Sequence, residues 1–149
     1  MRRKPTLKLI ALLAAAASIG ACTNTLPAQR AQLSCPMPQL NAAQLSQLRF
    51  YINDALNGED QHERNNGLRG LESVPASEGL AVLKRAARED VDMSNQMLAL
   101  NILTRFALQG YEVIAIRDTF RQIAADPGSN VQSQARDSYN EVLKVAPLD

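Results

Sequence analysis

From Asn41 onward the apolar residues recur with the period of an α-helix, never with that of a strand. Leu45, Leu48, Ile52 and Leu56 stand at i, i+3, i+7 and i+11, which lines them along one side of a helix. No stretch alternates apolar and polar residues at period two for long enough to make a strand. That property confines the domain to an all-α fold.

Stop and start signals divide the pattern into six helices. Asn41 with Gln44 has the form of a capping box before the first, and Gly58 sits where that helix should stop. A second runs from Glu63 to Ser73. Gly67 and Gly70 each weaken it by up to about 1 kcal/mol, and Val74-Pro75 ends it. Ser77 caps a third, which reaches about Asp90 with Leu80, Leu83 and Ala87 on one side. The fourth, Ser94 to Leu108, is apolar on most sides: Met97, Leu98, Leu100, Ile102, Leu103 and Phe106. A helix that apolar belongs at the centre. Gln109-Gly110 stops it. The fifth turns Val113, Ile116, Phe120 and Ile123 inward and ends at Asp126-Pro127-Gly128. Ser129 with Gln132 reads as a second capping box. It opens a sixth helix with Val131, Ala135, Tyr139, Val142 and Ala146 inward, closed by Pro147.

The second member of each helix pair echoes the others. "EDQHERNNGLRGL", "EDVDMSNQMLALNIL" and "ADPGSNVQSQARDSY" each open with a short acidic turn. Small residues then fall at Gly67, Ala99 and Ala135, spaced by 32 and 36 residues, and four residues later come Leu71, Leu103 and Tyr139. A small residue followed by a large apolar one is what packing against a neighbouring helix requires. Two helices per unit at this period suggest an α-solenoid, and the pattern loosely resembles HEAT or armadillo-like repeats. The expected domain is therefore six helices in three antiparallel pairs, either stacked as a HEAT-like solenoid or closed as a compact bundle.

Charge is unevenly distributed along the chain. Residues 1–21 carry Arg2, Arg3, Lys4 and Lys8 and no acid, whereas residues 22–149 carry twelve basic and fifteen acidic residues, a net of −3. A mildly acidic mature chain lacks the electrostatic footprint of a nucleic-acid binder. The basic leader is followed by an unbroken apolar run, Leu9 to Ala17, and then by Ser18, Ile19, Gly20 and Ala21. That is the layout of a secretory signal. Leu9 to Ala21 is thirteen residues long, short of the about 20 a membrane-spanning helix needs.

Ile19-Gly20-Ala21-Cys22 resembles the lipobox of bacterial lipoproteins: aliphatic, small, small, cysteine. The resemblance implies a signal peptide over 1–21, a diacylglycerol thioether on Cys22, and an acyl chain such as palmitate on its new amine. Cleavage after Ala17 is the alternative. Several acyl chains on one residue anchor firmly, where one chain alone binds marginally. Thr23 rather than aspartate after the cysteine implies sorting to the outer membrane, facing the periplasm; inner-membrane and soluble periplasmic locations are the alternatives. Residues 22–40, with Pro27, Pro36 and Pro38, read as a lipidated N-terminus and flexible tether, of which residues 23–40 reach at most about 60 Å. Residues 41–149 form the helical domain. With Cys22 lipidated, Cys35 is an odd cysteine: bonded to a partner thiol, or inert and packed near the first helix. With Cys22 unmodified, the two would close a small loop worth roughly 3 kcal/mol.

Chemistry-bearing motifs are sparse. There is no G-x-S-x-G, phosphate-binding loop, dinucleotide-binding glycine pattern or C-x-x-C, and no cofactor, metal or catalytic residue is assigned. The single histidine, His62, sits in "EDQHER" and reads as part of a solvated polar turn. Lys84, Arg85 and Arg88 on the third helix, with Arg117 and Arg121 one turn apart on the fifth, make a possible anion-binding face, or solvated cations paired with Glu89 and Asp118. The expected function is that of a lipid-anchored, non-catalytic protein-binding or assembly module of the cell envelope. Its partners are membrane lipid through Cys22 and an envelope protein. An envelope enzyme or inhibitor acting on peptidoglycan is the alternative, and it predicts a concave pocket with converging acids.

Overall fold

The computed structural model describes residues 35–145. These contain six α-helices: α1 Ala42–Asn57, α2 Gln61–Ser73, α3 Ser77–Glu89, α4 Met93–Leu108, α5 Val113–Ala125 and α6 Gln132–Val145. There is no strand among the described residues, only an isolated parallel bridge between Cys35 and Tyr111. The all-α expectation holds.

The helices pair α1 with α2, α3 with α4 and α5 with α6. The odd-numbered helices form one layer, in which α1 touches α3 and α3 touches α5. The even-numbered helices form the other, in which α2 touches α4 and α4 touches α6. No helix of the first pair touches a helix of the third. Contact only between neighbouring units suits a stacked array, and two layers of three helices also suit a compact bundle. The central helix is α4, which packs on α2, α3, α5 and α6, as its all-round apolar surface predicts.

Side-chain bonds between successive units repeat at the same offset. Gln61 bonds Ser94, Arg105 bonds Glu72 and Gln134 bonds Asn101, each 33 residues apart, and Arg88 bonds Gln122 at 34. The echo in the sequence is thus a structural register. Gly67, Ala99 and Ala135 are all buried, as are Leu71 and Leu103, while Tyr139 is half-buried against the core.

Local signals hold in part. The Asn41 capping box is present: Gln44 N–H donates to Asn41 Oδ1 at 2.9 Å and Asn41 N–H donates to Gln44 Oε1 at 3.0 Å. Helix α2 starts two residues earlier than expected, because Asp60 caps it by accepting from Glu63 N–H at 2.8 Å. Ser77 does not cap α3; it is the first helical residue, and Ala76 holds the cap position without a side-chain bond. Ser129 and Gln132 form no capping box either. Ser129 Oγ accepts from Val131 N–H at 3.3 Å, closing a tighter turn before α6. Ala146 and Pro147 lie outside the described residues.

The buried face of α1 differs from the expected stripe. Leu48 and Ala55 are buried and Tyr51 and Ile52 pack beside them, but Leu45 and Leu56 are 38% and 39% exposed. The glycines of α2 cause this rotation. Gly67 lies against the Ala55 backbone and Gly70 lies under the Tyr51 ring, so α1 approaches on the flank that faces no side chain.

Residues 35–40 pack on the domain and do not run free of it. Cys35 N–H donates to Gly110 carbonyl at 2.9 Å, Glu112 N–H donates to Cys35 carbonyl at 3.0 Å, and Met37 is buried in the core. The segment therefore runs from the α4–α5 linker to the start of α1, spanning the stack. Cys35 is disulfide-bonded, and no cysteine among the described residues is free; that is the state expected with Cys22 unmodified, and the Cys35 thiol expected with Cys22 lipidated belongs to the acylated form. Cys22, the signal segment and the tether before residue 35 lie outside the described residues.

Candidate binding face

The junction between the first two pairs is a buried polar lock. Arg64 on α2 reaches across it: Nη1 donates to Gly58 carbonyl at 3.1 Å, Nε stands 3.4 Å from Asp90 Oδ2, and Nη2 bonds Asp92. The Nε contact is a charge contact without a directed hydrogen bond. Asp90 in turn accepts from Asp92 N–H at 2.9 Å, and its carbonyl accepts from Gln96 Nε2 at 2.7 Å. Asn95, fully buried, donates to Gln61 carbonyl at 3.4 Å and accepts from Asn65 at 3.1 Å. Buried polar groups of this kind need partners, and Arg64 and Asn95 find theirs across the junction, in Asp90 and Asp92 and in Gln61 and Asn65. Sequence reasoning noticed the acidic turns but missed that Arg64 is what they hold.

The five expected cations divide between two helices of the odd-numbered layer, α3 and α5. Arg85 and Arg88 are exposed and Lys84 half-buried on α3; Arg121 is exposed and Arg117 half-buried on α5. Arg85 Nε pairs with Glu89 at 3.1 Å and Arg121 Nη2 with Asp118 at 3.0 Å, which are the pairings the sequence offered. Both are exposed, and such pairs contribute at most about 1 kcal/mol. Arg88 Nη1 donates to Gln122 Oε1 at 3.3 Å. That bond crosses from α3 to α5, but Arg121, one residue before Gln122, points about 100° away round α5, so the cations of the two helices stay as separate groups. On these two helices the five cations meet only Glu78, Glu89 and Asp118, while Glu59, Asp60, Asp90, Asp92, Glu112 and Asp126 lie in the turns and linkers. The fold therefore separates charge that the overall composition mixes.

An open cleft of about 330 Å³ adjoins this face, between the ends of α1 and α3. Ala55, Leu56, Asn57 and Gly58 line one side, Arg85, Ala86, Glu89, Asp90 and Val91 the other, with Arg64 also lining it. Leu56 and Val91 bring apolar surface, and Val91 is 87% exposed. Both acids at the cleft are held by arginine, Asp90 by Arg64 and Glu89 by Arg85. The cleft is mixed in character, with apolar atoms of Ala55, Leu56, Ala86 and Val91 beside the two ion pairs. Sequence reasoning missed the cleft because Leu56 was assigned to the core.

His62 is exposed on the first turn of α2. Among the described residues, no group of three or more His, Cys, Asp or Glu could hold a metal ion, and no helix is long and apolar enough to cross a membrane. Comparison of the chain with protein-family models, with curated proteins and with solved structures matches none of them.

Proposed function

We propose that the mature chain is a lipid-anchored, periplasm-facing outer-membrane protein that acts as a non-catalytic binding or assembly module of the cell envelope. The anchor rests on the lipobox-like Ile19-Gly20-Ala21-Cys22. The module rests on one observation: α1, α3 and α5 form one continuous layer that carries exposed cations and an open cleft. Stacked helix pairs expose extended faces of this kind for partners, and the lipid fixes where the face is displayed. This assignment draws on architecture and address.

Affinity capture from detergent-solubilised membranes, comparing the native chain with Cys22→Ala, tests both parts. The native chain should carry the mass of its acyl groups, fractionate with the outer membrane and retain an envelope protein. Cys22→Ala should lose the mass and the membrane association. Unchanged mass and membrane association in the variant would overturn the anchor, and capture of no envelope protein by the native chain would overturn the module.

A further inference from the structure

We infer that Cys22 and Cys35 form a thiol–disulfide switch that decides whether the chain is anchored. This rests on the lipid-anchor reading and adds its regulation. Cys35 is disulfide-bonded. The chain has one other cysteine, Cys22, so within one chain the bond is Cys22–Cys35. The Cys22 sulfur is also the one that the lipobox-like Ile19-Gly20-Ala21-Cys22 commits to diacylglycerol. Two reactions compete for one sulfur, and each closes the other off.

The fold keeps Cys35 in place for the first reaction. Its N–H donates to Gly110 carbonyl at 2.9 Å, and its carbonyl accepts from Glu112 N–H at 3.0 Å. Both bonds belong to the backbone, so the residue stays at the α4–α5 linker whatever its sulfur carries. Twelve residues separate Cys35 from Cys22. A loop that short closes far faster than a second chain arrives by diffusion.

The periplasm favours disulfides, and an oxidant of the thiol-oxidase class, itself a disulfide, accepts the two electrons. One cysteine thiolate attacks it to form a mixed disulfide, and the other cysteine displaces it. The two thiol hydrogens end on the oxidant, which leaves as a dithiol. In the competing reaction the Cys22 thiolate attacks the glyceryl carbon of a diacylglyceryl donor. The C–S bond forms as the leaving group departs with the C–O electron pair. The thioether does not exchange with thiols, so acylation is final, whereas a dithiol reductant reverses the disulfide. A chain acylated first is anchored and keeps Cys35 as a thiol. A chain oxidised first keeps lipid off Cys22, and cleavage after Ala17 releases it into the periplasm.

The test expresses the full chain in Gram-negative cells with and without their periplasmic thiol oxidase. Thiols in the membrane and soluble fractions are alkylated without reduction, and intact mass reads acyl and alkyl groups. The membrane form should carry acyl mass and one alkyl group, on Cys35. The soluble form should carry neither, and should take two alkyl groups once reduced. Cys35→Ser, or loss of the oxidase, should abolish the soluble disulfide form and raise the acylated fraction. Gly67→Ala, which disturbs helix packing without touching a sulfur, should leave the fractions unchanged. Equal acylated fractions in the native chain, in Cys35→Ser and in oxidase-deficient cells would overturn the inference alone. So would Cys35 bonded to a second chain, seen as added protein mass before reduction. Equal shifts from Gly67→Ala and Cys35→Ser would also overturn it, by assigning the effect to folding. No acyl mass in any variant or strain defeats the anchor and the inference together.

Discussion

Gly67 on α2 lies directly on the backbone of Ala55 on α1: a methyl group added at Gly67 would stand 2.2 Å from the Ala55 nitrogen. Backbone atoms cannot swing aside, so the two helices must separate to admit it. The clash costs about 1–3 kcal/mol and outweighs the roughly 1 kcal/mol that alanine gains over glycine in a helix. Gly67→Ala should lower the urea midpoint.

Gly70 makes a control. A methyl group there meets the Tyr51 ring at 2.1 Å, and Tyr51 is a half-buried side chain that can rotate away. Tyr51→Ala should therefore rescue Gly70→Ala and fail to rescue Gly67→Ala. Equal rescue of the two, measured by chemical denaturation, would contradict this packing.

Arg64 neutralises an acid that solvent hardly reaches, since the Asp90 side chain is 4% exposed. Removing one partner of a buried pair strands the other, which costs about 3–5 kcal/mol. The partly exposed Asp92 contact places Arg64→Gln at about the lower end of that range. Asp90→Asn in the same chain should recover part of the loss, because it removes the stranded charge. A double-mutant cycle of urea midpoints measures the coupling, and additive losses would show that Arg64 and Asp90 act independently.

The α4–α5 linker holds two left-handed backbone conformations, Gly110 at φ +92° and Glu112 at φ 43°. No atom would touch a methyl group added at Gly110, so Gly110→Ala should destabilise through backbone strain alone, by about 1–2 kcal/mol. Glu112→Asn should stabilise slightly, because asparagine tolerates this region better than glutamate. Thermal unfolding of both variants should give shifts of opposite sign.

Cys22 and Cys35 are the only cysteines in the chain. One sulfur cannot hold both a disulfide and a diacylglycerol thioether, so the acylated form and an internally disulfide-bonded form exclude each other. After reduction and alkylation, the membrane-extracted chain should carry acyl mass and a single alkyl group, on Cys35. A membrane-extracted chain carrying two alkyl groups and no acyl mass would remove the anchor and restore the small loop.

What the sequence determined was the identity of the elements. Six helices follow from apolar period, caps and breakers, which are local properties read within a few residues. The repeat offset was visible too, because each unit must present a small residue and then a large one to its neighbour. The basic residues of the candidate face were also legible. The Arg88–Gln122 bond between α3 and α5 was not, since it spans 34 residues.

Tertiary structure decided orientation and partnership. Leu45 and Leu56 fit the helical stripe as well as Leu48 did, but only one flank of α1 meets the glycines of α2, so two leucines were left outside. Nothing in the sequence marked Arg64, which the acidic turn of the next unit holds. The same turn left Val91 exposed and lines one side of the cleft opposite Leu56. Helix propensity and periodicity act within one segment. Burial, by contrast, depends on which segments meet, and that is set by close packing between units far apart in the chain.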